Sequence, residues 1–254
     1  MSTAVTARNS IVHRPALTPA AITLLRQITG KSETELQNIL HQAKILPTSD
    51  ENYIKIVEYV RNGQEHAFGI QVVNIIQIDR NNDPEFGPVI DGSLTASEFR
   101  MILWHGTKKN FVGPILENGF APPPDKQQMF GRGIYFADRC SKSSQYCDGT
   151  SPGTEGYLFL CDVKVGRMYK PKGAHREYRQ TPHPNFDSVK CVGKFIPDWD
   201  SCKEIDGVLL PSGETKVNTR FKSFAVQYNE HCVYEPERIK AKYLVVVKFQ
   251  GQKC

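Results

Sequence analysis

The amino-terminal part of the chain has the apolar spacing of helices. Apolar residues recur every three or four positions, at Ile22, Leu25, Ile28, Leu36, Ile39 and Leu40. Thr18-Pro19 predicts the start of a first helix and Gly30 its end. Ser32–Glu35 has the spacing of a capping box and predicts a second helix that ends before Pro47. A third capped helix is predicted from Ser49 to Gly63.

From Gly69 the pattern changes to that of strands. Ile70, Val72, Ile76 and Ile78 are expected on one face, and Val73 and Ile75 on the other, so this strand is predicted to be buried on both sides. Further strands are predicted at Met101–Trp104, Ile134–Ala137 and Tyr157–Val165. Between the first two, Asn110 is expected to cap a helix that Gly119 ends.

The carboxy-terminal part alternates between loops and strands. Residues 166–205 are predicted to be mostly loop, because prolines and charges are scattered through them. Glu230–Tyr234 and Lys242–Phe249 are predicted to form an antiparallel hairpin that turns at residues 235–238. Helices in front of many short strands indicate an α+β domain with antiparallel sheets.

Composition narrows the class of protein. Of 254 residues, 39% are hydrophobic and 23% charged, which is typical of a soluble protein. A net charge of +5 is too small to indicate nucleic acid as a target. Seven cysteines without a C-x-x-C motif indicate free thiols rather than disulfides or structural zinc. No signal peptide or membrane-spanning stretch is recognisable, so an intracellular protein that binds no membrane is expected.

Common catalytic motifs are missing from the sequence. Gly131-Arg-Gly133 begins like a dinucleotide fingerprint, but Phe136 replaces its third glycine. Ser212–Lys216 lacks the spacing of a P-loop. G-x-S-x-G, H-E-x-x-H and zinc deaminase signatures do not occur, which excludes the ordinary readings as hydrolase, metalloprotease or deaminase.

The most informative stretch is Met129–Asp138 with the following Ser141–Tyr146. Its glycines allow the backbone to approach a flat ligand. Asp138 is expected to cap a helix, so that Tyr135 and Tyr146 face each other across a slot. Two aromatic walls suit a planar ring that carries an amide. The alternative is a strand and helix whose tyrosines belong to the core.

Three polar residues stand where core packing does not explain them. His105 closes an apolar strand, Tyr135 lies in the central stretch, and Glu230 begins a strand among apolar neighbours, where a carboxylate needs a partner or a function. Each residue alone is weak support for a functional site, because a lone histidine is more often structural and a glutamate at a strand end is often solvated.

Together these motifs resemble a known family. Leu103–Thr107, Met129–Asp138, Ser141–Tyr146 and Tyr228–Glu230 occur in the order found in the poly(ADP-ribose) polymerases, and the resemblance is to the catalytic domain of the DNA-damage-responsive members. It implies a diphtheria-toxin-like ADP-ribosyltransferase fold, with two antiparallel β-sheets around an NAD cleft and a short helical segment before it. It also implies a nuclear protein.

The resemblance implies an enzyme that transfers ADP-ribose from NAD, its co-substrate, to protein acceptors with release of nicotinamide. The acceptors would include growing ADP-ribose chains and the protein itself. The implied catalytic residues are His105, Tyr135 and Glu230. The implied NAD-binding residues are His105, Gly106, Thr107, Gly113, Tyr135, Lys142, Ser143 and Tyr146, and no metal is expected.

The resemblance also assigns individual roles. Gly106 and Ser143 would hold the nicotinamide amide, while Tyr146 stacks on its ring. His105 would bind the adenosine-side ribose. Glu230 would bind the nicotinamide ribose and favour the positive charge that grows there.

Several features depart from the family. Ala121 replaces an arginine near the adenosine and Gln128 replaces a tyrosine, so the hold on adenosine is expected to differ. We expect residues 1–43 to form a tail and a helical hairpin, and residues 44–254 to form the catalytic domain. The hairpin is either an appended binding module or a segment that packs on the catalytic domain. This division leaves no room for the family's long helical regulatory domain, so we expect NAD consumption without DNA.

Two other functions fit the sequence. One is a mono-ADP-ribosyltransferase, which performs the same chemistry without chain growth, although its usual signature is loss of the glutamate at position 230. The other is a non-catalytic module that binds NAD, ADP-ribose or a protein. Release of nicotinamide separates the enzymes from the module.

Overall fold

The computed structural model describes residues 17–64, 68–87, 89, 95–123, 128–181 and 183–251. The helices are α1 (Pro19–Thr29), α2 (Glu33–Ile39), α3 (Glu51–Asn62), α4 (Lys109–Asn118) and α5 (Cys140–Ser144). The first seven strands are β1 (Leu40–Ile45), β2 (Gly69–Arg80), β3 (Arg100–Thr107), β4 (Ile134–Ala137), β5 (Glu155–Lys164), β6 (Met168–Tyr169) and β7 (Ser188–Cys191). The others are β8 (Gly193–Pro197), β9 (Lys203–Ile205), β10 (Val208–Leu210), β11 (Thr215–Val217), β12 (Val226–Tyr228), β13 (Glu230–Val233) and β14 (Ile239–Gln250).

Most strands form one long sheet with the order β1-β2-β14-β5-β3-β4-β13-β7-β6. Its two halves meet where β3 pairs with β4 at Trp104 and Ala137. We call the half from β1 to β3 the large half-sheet and the half from β4 to β6 the small half-sheet. A separate three-stranded sheet has the order β11-β8-β12. Because the halves touch at this pair and then diverge, an opening forms between them.

Apolar side chains cover both faces of the large half-sheet. On one face they join α1, α2 and α4, with Leu25, Leu36 and Phe159 fully buried. On the other face they join α3, with Ile56 and Trp104 fully buried. The large half-sheet is therefore sandwiched between helices, and this rigid body carries β3 to the opening. No helix among the described residues is long and apolar enough to span a membrane.

The three amino-terminal helices largely follow their predicted caps. Gly30 ends α1 in the left-handed conformation (φ 73°), and Ser32 and Glu35 form both bonds of the capping box of α2. Asp50, rather than Ser49, caps α3. The prediction that α2 continues towards Pro47 was wrong.

Residues 40–45 are instead strand β1, which pairs with β2. The spacing of Leu36, Leu40 and Ala43 fits a helix, but a short helix followed by a strand buries the same side chains. Residues 40–45 form a strand and not a helix because the backbone of β2 offers them hydrogen bonds. The predicted domain boundary between residues 43 and 44 falls inside β1 and stays a prediction. Residues 1–16, which were expected to be unstructured, lie outside the described residues.

The faces of β2 also differ from the prediction. Ile76 and Ile78 pack on the α1 side, whereas Ile70 and Val72 pack on the α3 side. The pairing with β14 shifts register beside Val73, so one residue bulges and the alternation reverses. Burial on both faces was predicted, but a local pattern does not reveal a bulge.

The predicted hairpin of β13 and β14 was wrong. β13 pairs with β4 and β7 in the small half-sheet, and β14 pairs with β2 and β5 in the large one. The 3₁₀ turn Pro236–Arg238 carries the chain across. Residues 166–205, predicted to be mostly loop, contain the four strands β6 to β9.

Candidate active site

The opening between the half-sheets is a cavity of about 590 Å³. Trp104 is the residue of β3 that pairs with β4, and β3 continues beyond it. His105, Gly106 and Thr107 therefore pair with β5 on one side and face the opening on the other. These three residues, together with Tyr135, Lys142, Ser143, Tyr146 and Glu230, line the cavity. We call it the cleft. Eight of the nine predicted site residues therefore meet in one place.

Gly106 lies against α5 at a distance that only glycine permits. A Cβ on Gly106 would stand 1.8 Å from the carbonyl oxygen of Ser143, where no atom fits. The Ser143 hydroxyl donates a hydrogen bond of 3.0 Å to the carbonyl of Trp104. The hydroxyl oxygen keeps its lone pairs, so it can accept a bond from an amide N–H. Backbone and hydroxyl thus line one wall closely.

His105 is held in one orientation. Its Nδ1 lies 2.9 Å from the carbonyl oxygen of Tyr135, and because a carbonyl only accepts, Nδ1 carries the proton and Nε2 has a lone pair. Phe120 packs edge-on against the ring, with centroids 5.0 Å apart. Burial lowers the pKa of His105, against the opposing effect of the bond to Tyr135, so the ring is neutral at pH 7.

The ring of Tyr135 lines the cleft, whereas its hydroxyl is bonded to the backbone of the preceding turn. The hydroxyl accepts a bond from the Phe130 amide at 2.9 Å and donates one to the Gly131 carbonyl at 3.0 Å. Burial raises the pKa of Tyr135 far above its usual value, with a smaller contribution from Cys232. Tyr135 is therefore neutral and braces the turn that precedes β4.

An ion pair links the two sides of the cleft. Lys142 Nζ on α5 lies 2.8 Å from Glu230 Oε1 on β13, and their side chains are 20% and 12% exposed. Burial alone would lower the pKa of Lys142, but the hydrogen bond and attraction of Glu230 outweigh it and raise that pKa. Lys142 is thus firmly cationic and faces the carboxylate directly. The Tyr146 ring, 5.8 Å from Lys142 Nζ, is 51% exposed.

Two sequence predictions about this region differ from the structure. Gly113 faces α1, where a Cβ would lie 3.5 Å from Thr29 and Lys31, so it packs helices and does not line the cleft. Asp138 does not cap α5: Arg139 holds the N-cap position without a side-chain bond. The Asp138 carboxylate is fully buried and accepts a 2.6 Å bond from the side chain of Asn229, the residue between β12 and β13.

The sequence reading missed the apolar wall of the cleft. This wall consists of apolar residues of α4, of the loop after it and of β4: Phe111, Pro114, Ile115, Phe120, Pro122, Pro123, Ile134 and Phe136. Only the apolar character of residues after α4 could have indicated it. Ala121 and Gln128, the two departures from the family, lie on this side of the cleft.

The described residues contain no group of histidine, cysteine and carboxylate side chains that could hold a metal.

Comparison with known proteins gives the family of the chain. The family model of the poly(ADP-ribose) polymerase catalytic domain matches residues 50–249. The chain belongs to this family. The resemblance predicted from the sequence motifs is thereby confirmed, as is the α+β ADP-ribosyltransferase fold, and the two half-sheets on either side of the cleft agree with it.

Poly(ADP-ribose) polymerases of animals and plants are similar to the chain. It is 34% identical to poly [ADP-ribose] polymerase 1 of Gallus gallus over 81% of the chain and 20% of that protein. It is 36% identical to poly [ADP-ribose] polymerase 1 of Caenorhabditis elegans over 76% of the chain and 21% of that protein. It is 33% identical to poly [ADP-ribose] polymerase 2 of Zea mays over 80% of the chain and 32% of that protein. The chain spans about a fifth to a third of the length of these relatives.

Proposed function

We propose that this chain is an NAD-dependent ADP-ribosyltransferase that releases nicotinamide and adds ADP-ribose to protein acceptors and to growing ADP-ribose chains. The observation that carries the proposal is the ion pair of Lys142 and Glu230 in the same cleft as the tight Gly106–Ser143 approach. Membership of the polymerase catalytic-domain family supports it.

The wall at Gly106 fits the nicotinamide end of NAD as a substrate. A carboxamide needs a hydrogen-bonding partner for its N–H and one for its oxygen, and the Gly106 backbone with the Ser143 hydroxyl offers both kinds of group. The absence of a Cβ on Gly106 lets α5 approach β3, which brings the Ser143 hydroxyl beside the Gly106 backbone. Tyr135 and Tyr146 offer aromatic surface for stacking.

Glu230 supplies negative charge where the reaction develops positive charge. Breaking the bond between nicotinamide and ribose leaves a cationic sugar carbon, which a nearby carboxylate stabilises. The same carboxylate can accept a proton from the attacking hydroxyl of an acceptor. Lys142 holds Glu230 in place, and neutral His105, with its Nε2 lone pair, can accept a bond from a ribose hydroxyl.

Chain growth is favoured over transfer of single units. Glu230 is present, lies in the cleft and has a cationic partner, whereas mono-transferases of this fold typically lack the glutamate. A non-catalytic binding module would have no need of a largely buried carboxylate in the cleft. We further propose protein acceptors that include the chain itself, and a nuclear location, by analogy with the relatives.

Replacing Glu230 by glutamine tests the proposal. The amide keeps the size and loses the charge, so we expect nicotinamide release to fall by about a hundredfold to ten-thousandfold, or about 3 to 5 kcal/mol in barrier. NAD affinity should fall little, because the other cleft residues remain. Polymer, followed on gels after incubation with labelled NAD, should disappear while slow single additions persist.

Glu237→Gln is the matched control, since Glu237 is exposed in the 3₁₀ turn after the same strand. It should keep the parental rate. Polymer formation by Glu230→Gln at a near-parental rate would contradict the proposed role, and loss of NAD binding would make Glu230 structural.

A further inference from the structure

A second cavity, of about 530 Å³, lies on the opposite face of the small half-sheet from the cleft. Glu230 lines the cleft and Asn229, the preceding residue, lines the second cavity. In β7, Cys191 pairs with Glu230, while Lys190 before it and Val192, which follows the strand, line the second cavity. Successive residues of extended backbone point to opposite faces. The cavities share no lining residue among those described.

Basic side chains dominate the second cavity. Its lining contains Lys170, Lys190, Lys216 and Arg220, against one carboxylate, Asp200. Lys216 is paired with Asp198 at 2.5 Å. Within the part of the chain that the structure describes, the other three have no carboxylate oxygen within 4.0 Å. The cavity therefore has an excess of positive charge.

Lys190 is the most unusual of these residues, because it is only 9% exposed. Its Nζ lies 4.8 Å from the ring centroid of Trp199, a contact that stabilises an ammonium group only partly. Burial lowers the pKa of Lys190; the attraction of the Asp138 carboxylate opposes this effect, and the repulsion of Lys170 adds to it. A buried cation without an ion pair is costly unless a ligand supplies negative charge.

We propose that the second cavity binds the phosphate groups of a small phosphorylated ligand, of which a nucleoside diphosphate is the simplest example. Lys190, Lys170 and Arg220 supply charge for the phosphates. Trp199, and Phe221 with its 54% exposed ring, supply apolar surface for a base.

The dimensions favour a small ligand over a nucleic acid. The volume lies in the range of about 300 to 1,000 Å³ that small-molecule sites occupy. A strand of nucleic acid needs a groove that follows its backbone over several nucleotides. Here the charge is instead concentrated around one buried ammonium group.

Calorimetric titration with inorganic pyrophosphate and with ADP tests the proposal. Saturating benzamide, a nicotinamide-like ligand, is present in each titration so that the cleft is in one state. The variants are Lys190→Met, which keeps the length of the side chain, and Arg220→Gln, at an exposed position. Lys194→Met is the matched control, because Lys194 is exposed, also lies over an aromatic ring (Phe195, 5.3 Å) and does not line the cavity.

We expect pyrophosphate to bind the parent and Lys194→Met equally, and its affinity to fall at least about tenfold in Lys190→Met, as expected for loss of a charge-assisted hydrogen bond. Arg220→Gln should show a smaller loss. ADP should bind the parent more tightly than pyrophosphate, because the aromatic surface contributes. An equal loss in Lys194→Met, or no pyrophosphate binding at millimolar concentration, would overturn the proposal.

Two further measurements separate this site from others. The benzamide-induced rise in melting temperature should be the same in the parent and in Lys190→Met, which shows that the variant folds and that its cleft is intact. A single-stranded oligonucleotide that depends on Lys190, and that pyrophosphate does not displace, would assign the cavity to nucleic acid and overturn the proposal.

Discussion

At Gly106 the contact between β3 and α5 has no room for one more carbon atom. Gly106→Ala places a Cβ 1.8 Å from the Ser143 carbonyl oxygen, so β3 or α5 must move. Overpacking of this kind costs about 1 to 3 kcal/mol of unfolding free energy. We expect a lower melting temperature and loss of most of the stabilisation by benzamide, both measured by thermal denaturation.

Gly149→Ala is the control for Gly106→Ala. Gly149 follows α5 and has open space around its Cβ position, so the variant should keep both the parental melting temperature and the benzamide response. An unchanged benzamide response in Gly106→Ala would contradict the assigned wall of the cleft.

His231 makes stability depend on pH. It is fully buried behind Glu230, and its Nε2 lies 3.9 Å from Asp138, too far for a hydrogen bond. Burial lowers the pKa of His231 despite the attraction of Asp138. Below about pH 6.5 the unfolded chain takes up a proton here that the folded chain does not, so the free energy of unfolding decreases as pH falls.

His231→Gln removes this titration and should make the fall in melting temperature between about pH 7 and pH 5 shallower. The lowered pKa of His105 acts in the same direction and remains in the variant. His41→Gln, at an exposed position, should retain the parental slope. A parental slope in His231→Gln as well would show that His231 does not contribute.

The sequence motifs grouped His105, Tyr135 and Glu230, and the structure has all three in the lining of the cleft. Their contact with a ligand stays a prediction. The positions of Gly113 and Asp138 differ from the prediction, because Gly113 packs between helices and Asp138 accepts a bond from Asn229, which is distant in sequence. Neither effect is visible in the local sequence.

At the scale of elements, local chemistry fixes helix ends but not strand partners. Asp50 accepts bonds from the Asn52 and Tyr53 amides at the start of α3, at 2.9 and 3.4 Å. The pairing of β13 and β14, in contrast, depends on strands far away in sequence, so the apparent hairpin was misread. The structure of α3 was therefore accessible from the sequence, and the sheet order was not.

The Asp50 cap lies at the start of α3, and the other end of this helix is hydrogen-bonded to Arg139, next to α5. Asp50→Ala leaves two amides without their acceptor and should cost about 1 kcal/mol of unfolding free energy, measured by chemical denaturation. Asp50→Asn keeps an oxygen acceptor and should cost less. Because the Asn62 carbonyl at the other end of α3 accepts a 3.0 Å bond from buried Arg139, greater fraying of α3 should also speed hydrogen exchange in α5. Equal stability of Asp50→Ala and the parent would exclude the capping role.

At the scale of the whole molecule, the two half-sheets meet at the cleft, which is the proposed ligand site. A ligand that contacts Gly106 on one half and Tyr135 on the other should stabilise both. Benzamide at a hundred times its dissociation constant should add about 2.7 kcal/mol, or roughly 5 to 10 °C in melting temperature. Hydrogen exchange should slow in β3 and in β4 together, and slowing in β3 alone would show that the site does not bridge the halves.

Strand β14 occupies the middle of the large half-sheet, between β2 and β5, and follows them both in the chain. On the ribosome, the neighbours of β14 are therefore synthesised before the strand that joins them. Until residues 239–250 emerge, β2 and β5 each expose an edge that can pair with other strands. The nascent chain thus carries two unpaired strand edges until β14 is made, and a product truncated before residue 239 loses the centre of the large half-sheet, not its margin.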